Sequence, residues 1–91
     1  METHTLQIPP FFIEVDGCQV QVLEVLKDEL ISGDIWYHVF ISINYKGIWS
    51  KRYSLDVKNT EDLVNQLKIE ITKIKFTDYA YGIDEVRRLI S

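Results

Sequence analysis

From Ile35 to Val57 the chain reads IWYHVFISINYKGIWSKRYSLDV, an alternation of apolar and polar positions interrupted by one turn. Ile35, Tyr37, Val39, Ile41 and Ile43 fall on one face of an extended strand, with Trp36, His38, Phe40, Ser42 and Asn44 on the other. In the turn Asn44-Tyr45-Lys46-Gly47, Asn stands first and Gly fourth, which predicts a type I turn closed by a G1 bulge. That loop pairs Asn44 with Ile48, Ile43 with Trp49, Val39 with Tyr53 and Tyr37 with Leu55. Trp49, Tyr53, Leu55 and Val57 then join the apolar face, and only Lys51, opposite Ile41, interrupts it. The same register sets Phe40 opposite Arg52 as a cation–π contact, His38 opposite Ser54, and Trp36 opposite Asp56. A two-residue loop at Lys46-Gly47 puts Ile43 against Ser50 and mixes the faces, which a half-buried sheet resists.

A second hairpin precedes this one. Phe11 to Val15 runs into Asp16-Gly17, a two-residue turn signal, and pairing Val15 with Cys18 sets Ile13 against Val20 and Phe11 against Val22. Phe12 and Glu14 then share the opposite face with Gln21 and Gln19. Past Val22 the phase slips, which predicts a bulge near Leu23-Glu24 or burial on both faces. Lys27 to Asp34 reads as a connection with Gly33-Asp34 as its turn. Pro9-Pro10 belong on an edge or just before a strand, and Met1 to Gln7, which includes His4, reads as a frayed polar end.

After the hairpins, Asn59 or Thr60 caps a helix whose first turn holds Glu61 and Asp62. Leu63, Val64, Leu67, Ile71 and Ile74 form its core-facing stripe, while Ile69 and Phe76 point away from that stripe. Gly82 ends the helical region, and Asp84 is placed to cap a short last helix, Glu85 to Ile90. The fold class expected is α+β, ββββα: a four-stranded antiparallel sheet of two β-hairpins, one long helix on one face, and a short C-terminal helix. Residues 1–91 form a single domain, near the lower size limit for a self-sufficient core, so a second copy is an expected source of stability.

Chemistry is sparse. The one cysteine, Cys18, rules out a disulfide framework and a multi-cysteine zinc site, and it reads as a small residue of strand two. His38 across from Ser54 lacks an oxyanion hole, and the four glycines are isolated from one another, so no phosphate loop forms. We therefore expect no enzyme activity, no cofactor and no metal. With no basic-then-apolar leader and no apolar run near eighteen residues, neither a signal peptide nor a membrane span is expected, and a cytoplasmic protein is.

The face opposite the helix is the unusual feature. In a two-layer fold it should be polar, yet it carries Phe12, Trp36, His38, Phe40, Ile48 and Arg52. Four coverings fit: the chain's own C-terminal segment or the Lys27–Asp34 connection, a second copy, a different protein, or stacked bases of single-stranded nucleic acid. A net charge of −4 with one Arg beside the aromatics argues against the last. The expectation is a non-enzymatic interaction or accessory protein forming a homodimer, with a weak nucleic-acid binder as the alternative. Its interface residues are Phe12, Trp36, His38, Phe40 and Arg52 on the sheet face, or Ile69 and Phe76 on the outer side of the helix.

Overall fold

A computed structural model describes residues 9–91; His4 and the frayed stretch expected over Met1 to Gln7 lie outside them. Strands β1 (Phe11–Val15), β2 (Cys18–Glu29), β3 (Ile35–Tyr45), β4 (Ile48–Trp49) and β5 (Tyr53–Val57) precede helices α1 (Thr60–Tyr81) and α2 (Ile83–Ile90). All strands are antiparallel in the order β1-β2-β3, and β3 then pairs both β4 and β5. The architecture is the expected α+β sheet with a long helix and a short one after it.

The first hairpin follows its sequence reading residue for residue, from Val15↔Cys18 to Phe11↔Val22. Asp16 and Gly17 both have positive φ, 50° and 81°, the type I′ geometry whose twist matches that of the strands. Leu23 is the extra residue of a bulge: Val22 pairs Ile41 and Glu24 pairs Phe40. Beyond it the alternation resumes, so β2 continues to Glu29 where a connection was expected to begin at Lys27. Only residues 30–34 turn the chain, closed by Leu30 N–H on Asp34 O at 2.8 Å and Gly33 N–H on Leu30 O at 2.9 Å.

The second hairpin overturns the register read from its turn. Tyr45 pairs Ile48 and Asn44 pairs Trp49 around the two-residue loop Lys46-Gly47, with φ of 50° and 86°. Asn44 does not open a longer turn; its Oδ1 accepts the Gly47 N–H at 3.1 Å. This loop does mix the faces for two residues. Ile43 is fully buried whereas Trp49 stands on the opposite side of the sheet, 42% exposed, and Ile48 takes the helix side. The chain then breaks at Ser50–Arg52 and re-enters as β5 one residue out of step, pairing Ile41 with Tyr53, Val39 with Leu55 and Tyr37 with Val57. Tyr53, Leu55 and Val57 thereby return to the core. Ser50 makes the break tolerable: its N–H reaches Ile43 O at 2.7 Å, its Oγ accepts the Ile43 N–H at 2.8 Å, and Ser42 Oγ donates to its carbonyl at 2.7 Å. Both serines are buried and bonded, as buried polar groups must be.

Asn59 caps α1, its Oδ1 accepting the Asp62 N–H at 2.8 Å while Asp62 Oδ2 accepts the Lys58 N–H at 3.1 Å. Leu67, Ile71 and Ile74 are buried against Val20, Val22, Ile41 and Ile43 in one core, with Leu63 and Val64 at its margin. Gly82, at φ 96° and ψ 173°, ends α1 and serves as the start of α2 without a side-chain cap. Asp84 is not the cap; the helix begins two residues before the expected Glu85. Val86 and Ile90 of α2 are fully buried in the same core, and Lys51 N–H in the strand break bonds Ile90 O at 2.6 Å. No described helix is long and apolar enough to cross a membrane.

Candidate interaction face

All five strands contribute to the outer sheet face, with β3 at its centre. The shifted register gives each side chain of β3 a partner other than the expected one: Phe40 faces Ser54 and Glu24, His38 faces Asp56 and Leu26, and Trp36 faces Asp28. The expected Phe40–Arg52 contact forms all the same, from a diagonal position, with the guanidinium carbon 4.4 Å from the ring centroid. Arg52 then passes on to Glu24, its Nη2 2.7 Å from Oε1. Lys58 Nζ lies 5.0 Å from the Trp36 centroid. Toward β1, Phe12 and Trp49 sit with ring centroids 6.3 Å apart, and both are about half exposed.

His38 stands at the middle of this face with a carboxylate on each ring nitrogen. Nδ1 is 2.6 Å from Asp56 Oδ1 and Nε2 is 3.2 Å from Asp28 Oδ2. A carboxylate only accepts, and neutral imidazole has only one N–H, so satisfying both contacts requires the imidazolium. Asp56 first and Asp28 second hold the His38 pKa above the ordinary histidine range, against a smaller opposing effect of burial.

Phe12, Trp36, His38, Phe40 and Arg52 therefore share one face. Ile69 and Phe76 are elsewhere, on the solvent side of α1, 56% and 66% exposed; α2 packs against the core and does not fold over them. Nor does α2 or the 30–34 turn cross the outer sheet face, so among the described residues nothing covers it. Sequence reasoning missed Trp49, whose face depended on the register, and Asp28 and Asp56, which belong beside His38. It also missed the tip of the β2–β3 pair. Beyond Lys27 and Tyr37 the described sheet narrows to two strands, and the tip carries Leu30, Ile31 and Ile35, with Ile31 fully exposed. Continuing the alternation of β2 past its bulge was the available signal.

The far end differs in character. Tyr45 donates its hydroxyl to Asp78 Oδ2 at 2.6 Å, and Lys46 Nζ reaches the same oxygen at 2.9 Å. These two bonds, the tyrosine's first, hold the Asp78 carboxyl below the usual carboxylate range. An open groove of about 810 Å³ lies there between the two hairpin turns and α1. Cys18 forms part of its wall, with a thiol pushed up in pKa by burial. Among the described residues no three His, Cys, Asp or Glu side chains are grouped to hold a metal ion. No protein-family model, curated protein or solved structure matches this chain.

Proposed function

We propose that this protein is a non-enzymatic interaction module that self-associates through its outer sheet face. One observation carries the reading: Phe12, Trp49 and Leu26 are about half exposed beside Trp36 and Phe40, with no described segment packed over them. Patches of this kind on a small domain mark contact surfaces, and isologous pairing of two copies is the commonest way to bury them. The sheet face is preferred to the helix because Phe12 and Trp49 already pair there, with ring centroids 6.3 Å apart, whereas Ile69 and Phe76 stand two turns apart along α1.

The nucleic-acid alternative is disfavoured by what already occupies the rings. Arg52 lies over Phe40 and Lys58 over Trp36, where bases would stack, and Glu24, Asp28 and Asp56 stand where phosphates would approach. Sedimentation equilibrium across a concentration series tests the reading. A reversible dimer is expected, lost in the Phe12→Ser/Trp49→Ser double variant and kept in Ile69→Ser/Phe76→Ser, with circular dichroism confirming both folds. The reverse pattern moves the interface to α1. A monomer that is retained on single-stranded DNA with steep salt dependence replaces the reading by the alternative.

A further inference from the structure

The three strands that meet at His38 do not end together. β5 stops pairing at Tyr37↔Val57, while β2 and β3 run on as a two-stranded arm through Asp28↔Trp36 to Glu29↔Ile35. Asp28 belongs to the arm, Asp56 to β5, and His38 to the strand between them. On this face the arm meets the sheet body at two points: the His38 imidazole between its two carboxylates, and Lys58 over the Trp36 ring.

We propose that His38 is a proton-operated clasp, which when doubly protonated ties the β2–β3 arm to β5 across the outer face, and on losing one proton releases a carboxylate and loosens the arm. Its effect on self-association rests on the reading given above; the clasp itself does not. The charged groups facing His38 are few. From β2 come Asp28 and, one pair along, Glu24, already held by Arg52; from β5 comes Asp56, with Lys58 beyond it over Trp36. The neighbours of His38 on β3's outer face, Trp36 and Phe40, do not titrate, and both helices pack on the other side of the sheet.

With His38 charged, the three acids Glu24, Asp28 and Asp56 are balanced by Arg52, Lys58 and His38. Without that proton the face has one uncompensated carboxylate, which must stay hydrated and opposes burial against a second copy bearing another. Because the folded-state pKa of His38 is raised, the clasp is fully closed below the ordinary histidine range and opens as pH climbs through the raised value. His38 and its two partners are each at least one-third exposed, so the release proceeds without unfolding.

Imidazole NMR and amide exchange together test this. In the wild type both ring N–H protons should be observed at about pH 6, with a midpoint above that of free histidine, and Asp56→Asn should lower it more than Asp28→Asn. Protection of the Asp28–Glu29 and Ile35–Trp36 amides, corrected for intrinsic exchange, should fall severalfold through that midpoint in the wild type. In His38→Gln it should be low and independent of pH; if that variant perturbs the fold, Asp28→Asn supplies the same comparison. The dimer Kd should rise severalfold between about pH 6 and about pH 9 and stay flat in His38→Gln. An ordinary His38 midpoint, or arm exchange with the same pH profile in the variant, overturns the clasp. A protein that is monomeric throughout overturns the self-association reading instead, and the clasp then stands or falls on the midpoint and the arm exchange.

Discussion

Ser50 shows how one hydroxyl lets a sheet survive a register change. Where β4 gives way to β5, Ile43 would lose a strand partner for its N–H, and the Ser50 Oγ supplies one at 2.8 Å inside a buried site. Ser50→Ala leaves that donor unpaired away from water, so urea denaturation should show a loss of about 1–3 kcal/mol, far more than a surface Ser→Ala change. Asp78 works at the other end of the molecule, collecting the Tyr45 hydroxyl and the Lys46 ammonium on one oxygen. Its folded-state pKa is lowered, so its contribution is complete above the ordinary carboxylate range and is lost as pH falls through the lowered value. Asp78→Asn should therefore lower the thermal midpoint at neutral pH and flatten the acid limb of a midpoint-against-pH curve. Equal acid limbs in variant and wild type would remove Asp78 from the account.

The elements differ in how plainly the amino acids announce them. Asp16-Gly17 places two residues that tolerate positive φ at the two positions a type I′ turn requires, and the register of β1 on β2 follows from it. The α1 stripe is equally direct, because Leu67, Ile71 and Ile74 recur at helical spacing behind an Asn59 cap. Lys46-Gly47 is not direct: Lys seldom adopts φ near 50°, so Asn44 and Gly47 suggest a three-residue loop, and the face argument backs the same choice. That argument assumes an unbroken fourth strand. The irregular Ser50–Arg52 segment shifts the pairing and restores the apolar face at Tyr53, a tertiary solution no local pattern states. The candidate site inherits the same division: Phe12, Trp36, His38 and Phe40 were legible from alternation alone, while Asp28 depended on the Leu23 bulge, Trp49 on the two-residue loop and Asp56 on the Ser50–Arg52 break. Gly82 offers a test at this scale. With φ 96° and ψ 173° it holds a conformation open essentially to glycine alone, and the turn it makes lets α2 bury Val86 and Ile90. Gly82→Ala should cost about 1–3 kcal/mol by denaturant titration even though a Cβ there meets no atom within 4 Å.

Along its 46 Å length the molecule is stabilised unevenly. The fully buried side chains Val20, Val22, Ile41, Ile43, Leu67, Ile71, Ile74, Val86 and Ile90 form one core shared by the sheet and both helices. At the other end the arm has one strand ladder, a five-residue turn and exposed Leu30, Ile31 and Ile35. Opening free energy should follow this gradient, because an amide is protected by the apolar burial that must be undone to expose it. At pH values where the His38 clasp is closed, the amides of Val20, Val22, Ile41 and Ile43 should exchange only through global unfolding, and those of Glu29 and Ile35 through local opening at far lower cost. Two substitutions then separate the ends. Ile71→Ala, in the closed core, should lose about 2–5 kcal/mol of global stability and speed exchange at every core amide alike. Ile31→Ser, at the arm's tip, should change global stability by less than about 0.5 kcal/mol. If Ile31→Ser instead destabilises the whole sheet, the tip is held by contacts within the chain, and the arm is a structural element of the core instead of a free surface. If only self-association weakens, the tip extends the contact face that begins at Phe12 and Trp49, and the uneven build of the molecule has a purpose: a rigid end that folds the chain and a thin end that meets its partner.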